Sequence, residues 1–320
     1  MVDEKDQDAL PAESRSAGAK SSRRRTIAAL ALLLVLGLLF RDALFALFAL
    51  GREENLYSHL FLIPAICAYL VFLNRDQIPS PFATSPGSAV IFAALGAAAL
   101  LGQVLFVLPL SGLPPEDSLC LPIVAFVFFS LAIGSLCFGS GTLRKFSLPA
   151  AALFFMVPFP TLVVHPASVF LQYASAEMFH WLLLVSGTPV FRDGLSFHLS
   201  GLDLEVALEC SGIRSTVVLM VTSVFAGYMF LDRSWKIGLL VVLSIPLGVL
   251  RNGIRIFSIA LLTIHVDDGV IKGPLHSRGG PVFFGLSLVF LFLLIFILRR
   301  IGSRSRGTVP PAESSTSTAG

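Results

Sequence analysis

The feature that most constrains this chain is a succession of apolar runs, several approaching the ~20 residues a helix needs to cross a bilayer. Between them lie short stretches that collect most of the charge. A chain of this pattern folds in lipid, where every backbone polar group must be satisfied inside the protein and spans are therefore helical. Composition agrees: of 320 residues, 55% are hydrophobic, 13% are charged and 28 are Phe. The mean hydropathy is +0.84, far from that of a soluble domain. The class is a polytopic membrane protein, and a net charge of +3 makes no case for nucleic-acid binding. Cys67, Cys120, Cys137 and Cys210 have neither metal-ligand spacing nor a paired framework, so no metal and no cofactor is expected.

The runs place eight spans, at residues 26–40, 57–73, 87–108, 119–138, 146–159, 216–231, 237–264 and 281–298. Residues 1–25 form a polar tail, rich in Ala, Ser, Asp and Glu, expected to be disordered and cytoplasmic. It ends in Arg23-Arg24-Arg25, which with the following short run resembles a signal peptide. No convincing small-residue cleavage site follows, so a retained first helix is expected. Residues 26–300 make one transmembrane domain, and 301–320 a second disordered tail. The expected fold is thus an all-α integral membrane bundle of about eight helices, with a small β-hairpin on the outer face before the sixth.

That hairpin comes from the one long region without an assigned span, 160–209. Residues 164–185 mix apolar positions with His165, Gln172, Glu177, His180 and Trp181; an interfacial helix and a further span both fit. Residues 191–199 carry a turn signal and then alternate apolar with polar, and 201–206 alternate again, which reads as two short strands.

Loop charge orients the bundle. One set of borders carries Arg23 to Arg25, Arg75, Arg144-Lys145, Arg233 with Lys236, and Arg299-Arg300. The other carries Glu53-Glu54, Glu116-Asp117, Asp193, Asp203, Glu205 and Asp267-Asp268. Lys and Arg favour the cytoplasmic side. Both termini are therefore expected inside, and the hairpin, Cys210 and the 266–280 loop outside the cytoplasmic membrane.

This orientation makes scattered polar residues converge. Glu209-Cys210-Ser211-Gly212-Ile213-Arg214-Ser215 sits where strand-like sequence meets the sixth span. Arg255 lies nine residues before Ile264, about 13 Å down the seventh span at 1.5 Å per residue. His276 precedes the eighth span. A thiol, a guanidinium and an imidazole near one outer level suit acyl transfer. Arg214, four residues after Cys210, and the helix start favour a thiolate, and Glu209 opposes it. An ordinary helix start, with Ser211 as its cap and Gly212 in the loop, explains the same residues. Spacing alone ranks neither Arg255 over Arg251 nor His276 over His265.

Cys210-Ser211-Gly212-Ile213-Arg214-Ser215, then Asn252-Gly253-Ile254-Arg255 behind Pro246, then His276 ahead of Gly280 and a Phe-rich last span, resemble the exosortase/archaeosortase family. Tyr57-Ser58-His59 before a Pro-containing span is similar to that family's early segment. The resemblance covers roughly residues 25–300. It implies a membrane cysteine transpeptidase with Cys210 as nucleophile, Arg255 as the arginine of Asn-x-x-Arg, and His276 as acid/base, supported by Arg214, Asn252 and Ser211. The implied partners are exported proteins ending in a motif, a transmembrane helix and a basic cluster, with a membrane lipid or glycan as acceptor. Two other readings assign the polar residues differently. A transporter would bind an anion with Arg251 and Arg255, although the halves show no inverted repeat. An enzyme of polyprenyl-linked glycans would use Asp193, Asp203 or Glu205. Neither needs the sulfur of Cys210.

Overall fold

Backbone groups that find no water pair within their own segment, and the apolar runs accordingly become helices. The computed structural model describes residues 12–53, 56–57, 60, 62–73, 84–110, 112–265 and 280–301. The chain divides into two compact units, Met1–Pro166 and Ala167–Gly320.

The first unit holds α1 (Ala12–Leu39), α2 (Arg41–Glu53), α3 (Leu62–Leu73), α4 (Pro86–Gly102, continued by a π-turn at Gln103–Val107), α5 (Pro115–Lys145) and α6 (Ser147–Ala152, continued by a 3-10 turn at Leu153–Met156). Helix α1 starts upstream of the arginine triplet, within the tail expected to have no fold. Helix α5 shows why its ends lie where they do. Pro115 opens it, Glu116 and Asp117 occupy its first turn, and Arg144 and Lys145 its last, each sign matching the nearby pole of the helix dipole. Beyond its start, Asp117 accepts a hydrogen bond from the Thr161 backbone N–H at 2.7 Å. The Ser88 and Ser135 hydroxyls join α4 to α5.

The second unit holds most of α7 (Thr161–Val185), then β1 (Val190–Asp193), β2 (Ser196–Leu199), β3 (Leu202–Glu205), a 3-10 turn (Leu208–Ser211), α8 (Ile213–Phe230), α9 (Ser234–His265) and α10 (Gly280–Arg300). Residues 164–185, for which an interfacial helix and a further span are both expected, lie within one continuous helix. Where two strands are expected there are three, antiparallel in the order β1-β2-β3. The extra strand is Val190–Asp193, which pairs with Ser196–Leu199 across a two-residue loop. Alternation holds: Phe197 and Leu199 face inward while His198 is exposed. Phe197 packs on Phe179 of α7 at 4.8 Å between ring centroids. Arg192 bonds Glu177 of α7 at 2.7 Å and lies over the Phe197 ring. The sheet, α7 and α9 share one core, built around Phe179, Phe197, Val206, Ile256 and Ala260. A second core joins α8, α9 and α10 through Leu219, Leu240, Leu247, Leu291 and Ile295.

Among the described residues, five helices are long and apolar enough to cross a membrane, and up to seven if each of two bent pairs counts as one span. Eight are expected from the sequence. The first run turns by 74° between Arg23–Leu39 and Arg41–Arg52. The second yields only the 12-residue α3. The fifth breaks into α6 and the following 3-10 turn, in a stretch carrying Pro149, Pro158 and Pro160, as proline does to helices.

Candidate functional site

The site is assembled in the second unit, where β3 runs into the turn before α8. Val206 is held from both sides: its N–H donates to the Leu195 carbonyl at 3.0 Å, and its carbonyl accepts from Gln172 Nε2 at 2.7 Å. The chain then tightens into the 3-10 turn that carries Cys210, whose N–H donates to the Ala207 carbonyl at 3.0 Å. Gly212 ends the turn with φ +77 and serves as the N-cap of α8. Only glycine fits there. A side chain would be strained at that φ, and its Cβ would lie 2.7 Å from Cγ of Asn252.

Asn252 of α9 thus lies directly against the Cys210-Ser211-Gly212 turn. It is fully buried, and its Nδ2 donates to the Cys210 carbonyl at 2.6 Å and to Ser175 Oγ of α7 at 3.0 Å. One side-chain amide therefore links α7, α9 and the backbone of the cysteine. Ser211 does not act as the cap: its hydroxyl is buried with no hydrogen-bond partner among the described residues. The expectation that Arg214 stands one helical turn from Cys210 is also corrected. The left-handed Gly212 separates the two, so i+4 geometry does not apply, and both Arg214 and Glu209 are exposed.

Cys210 and Arg255 line one cavity of about 100 Å³, together with Leu204, Glu205, Val206, Ile256 and Ile259. Arg251, one turn earlier on α9, is not part of that lining. It is buried at 4% exposure, and its guanidinium donates to the Ser215 hydroxyl. Ser215 in turn donates to the Gly212 carbonyl at 3.0 Å. The two arginines that spacing leaves equivalent are thus divided by packing, one toward the cavity and one beneath the turn.

The histidines separate as well. His276 lies outside the described residues, as do Asp267-Asp268 and His59. His265, ten residues past Arg255, is about 15 Å farther along α9 and exposed. His198 pairs with Asp203 at 2.7 Å, and His180 stands beside Phe197. No described histidine lines the cavity. Among the described residues no group of His, Cys, Asp and Glu could hold a metal ion. Sequence reasoning missed Ser175, the Gln172 contact to Val206 and the Ser215–Arg251 pair. For Ser175 and Gln172 the polar residues within 164–185 were the signal, and for the pair Ser215 and Arg251 were each in view, but none of them states its partner.

The arrangement offers a thiol and a guanidinium on one small, largely aliphatic cavity, with the thiol's backbone fixed by a buried amide. A family model described as transmembrane exosortase matches residues 51–293, a stretch that includes Cys210, Asn252, Arg255 and His276. No curated protein and no solved structure matches the chain.

Proposed function

The chain belongs to the transmembrane exosortase family, and on that premise we propose that it is a membrane cysteine transpeptidase acting on the C-terminal sorting tails of exported proteins. The observation that carries this reading is the shared cavity of Cys210 and Arg255. The Cys210 thiolate attacks the carbonyl carbon of the scissile peptide bond. The charge that develops on the carbonyl oxygen is stabilised by the Arg255 guanidinium. The C–N bond then breaks, the departing amine takes a proton, and the acyl group stays on sulfur as a thioester. An amine or hydroxyl of the acceptor, or water, attacks the thioester and returns the sulfur as thiol. His276, assigned by the family resemblance, serves as the acid and base of these proton transfers. Cys210 rather than a hydroxyl is suited to this role because sulfur is a strong nucleophile without a powerful base beside it.

The proposal places the cavity on the outer face of the cytoplasmic membrane with both termini inside, supported by the separation of basic from acidic borders. A cysteine introduced at Asp203 should react with a membrane-impermeant reagent in intact cells, and one at Arg144 should not. The reverse pattern would overturn the orientation.

The chemistry is tested at the sulfur. Cys210→Ser should insert normally and abolish processing of a tail-bearing protein. Cys67→Ser, Cys120→Ser and Cys137→Ser should process as the parent does. An acid-stopped reaction of the unaltered protein should contain a hydroxylamine-labile adduct on Cys210. Near-normal processing by Cys210→Ser would end the transpeptidase reading, and with it the preference over an anion transporter.

A further inference from the structure

The cavity beside Cys210 is small. Its volume of about 100 Å³ falls well short of the ~300–1,000 Å³ of pockets that enclose larger ligands. Apart from Cys210, Arg255 and the exposed Glu205, its walls are aliphatic: Leu204 of β3 and Val206 just after it, Ile256 and Ile259 on α9. Three of these four residues are held in place. Val206 is hydrogen-bonded at both its N–H and its carbonyl, and Ile259 and Ile256 are buried. A close-packed wall of this kind does not yield to an extra methylene without repacking the core behind it.

A carbonyl carbon within reach of Sγ carries its own residue's Cα one bond away, so that residue's side chain must find room next to the sulfur. Resting on the transpeptidase reading above, we propose that this cavity is a specificity pocket. It admits one small apolar side chain, that of the residue whose carbonyl Cys210 attacks. Leu204, Val206, Ile256 and Ile259 set the size limit. Each methylene beyond that limit should cost about 10–200-fold in rate, the range by which hydrophobic pockets discriminate.

The test uses the full-length protein in its membrane and four N-acetyl aminoacyl chloromethyl ketones, built on Ala, Val, Leu and Phe. The thiolate displaces chloride from the methylene, forming a thioether, while the amino-acid side chain must occupy the space beside Sγ. Alkylation of Cys210 is followed by intact mass, with Cys210→Ser as the blank for the other cysteines. The Ala reagent should react fastest and the Phe reagent at least 10²-fold more slowly. Ile259→Ala should raise the Leu-to-Ala rate ratio at least tenfold, and Ile259→Val should raise it in the same direction where the larger truncation fails to insert. Equal rates for all four reagents, or ratios unmoved in both Ile259 variants, would overturn the pocket and leave the transpeptidase reading standing. No alkylation of Cys210 by any reagent would overturn both.

Discussion

Helices α4 and α9 are both apolar enough to cross a membrane, yet they are made for different surroundings. In α4 only Ala89 and Gly96 are buried, and Val90, Ile91, Leu95 and Leu101 are exposed. An exposed apolar surface of this kind suits lipid, which almost any apolar residue satisfies. In α9 the buried set includes Lys236, Ser244, Arg251, Asn252 and Thr263. Buried polar groups are costly unless bonded. Each of these side chains makes at least one hydrogen bond, while Arg251 Nε and Asn252 Oδ1 have no partner among the described residues. Lys236 reaches Asp232 at 2.8 Å. Ser244 and Thr263 donate to carbonyls of their own helix. Arg251 and Asn252 bond outside the helix, to Ser215 and to the Cys210 carbonyl. The difference teaches that hydrophobic length identifies a span, whereas a buried guanidinium and amide bonded to the Cys210–Ser215 stretch identify the helix that fixes the cysteine turn.

The sharpest way to break this comparison is at Arg255. Lys keeps the charge but loses the planar fork. Arg255→Lys should insert at normal levels yet lose on the order of 10²–10³ in processing rate, the scale for removing an oxyanion donor. Full activity there, with Arg251→Lys inactive, would show that the arginine beneath the turn rather than the one on the cavity does the work. Asn252→Ala should follow, at about 10²-fold, the scale of a small misplacement of a reacting group. Its loss should appear in the rate of Cys210 alkylation as well as in processing. Unchanged alkylation would remove Asn252 from the positioning of the thiol.

The order of these effects reflects what was legible beforehand. Five span positions were readable because a long apolar run folds as helix in lipid: residues 237–264 are one expected span and Ser234–His265 its helix. The runs at 26–40, 57–73 and 146–159 instead give a bent, a short and a broken element. Strands β2 and β3 were readable from alternation, but Val190–Asp193 was not separated from its turn, since four residues carry little period. Counting nine residues back from a helix end sufficed to bring Arg255 toward Cys210. Counting could not rank Arg255 against Arg251, because residues four apart share a face; only the Ser215 hydroxyl and the cavity wall divide them. Ser175 and Gln172 were beyond reach for a similar reason. Their role depends on how α7 is rotated against α9, and a sequence period does not state rotation between helices. The expectation for Arg214 went wrong because a single left-handed glycine invalidates helical spacing across it.

Gly212→Ala should show an intermediate effect. The added methyl meets both an unfavourable φ and the Asn252 side chain at 2.7 Å, so the turn must shift to admit it. Strain at such a position is worth roughly 1–3 kcal/mol, and processing should fall about tenfold or more at unchanged membrane levels. Wild-type processing in this variant would mean that the turn has freedom its packing denies.

The smallest effects belong to α4, where one substitution at two positions separates packing from lipid exposure. A Cβ at Gly87 meets nothing within 4 Å, whereas at Gly96 it would sit 3.1 Å from the Phe129 ring. That ring also lies against Phe40, with 6.1 Å between centroids, which opposes its displacement. Gly87→Ala should therefore leave thermal stability in detergent within about 0.5 kcal/mol, as surface substitutions do. Gly96→Ala should lower it by about 1 kcal/mol, the low end for overpacking. Normalised to the amount of folded protein, both should process tails at the parent rate, since neither touches the turn, the cavity or α9. A tenfold loss per folded molecule in Gly96→Ala would mean that the α4–α5 contact bears on the chemistry. The contrast between α4 and α9 would then have to be redrawn.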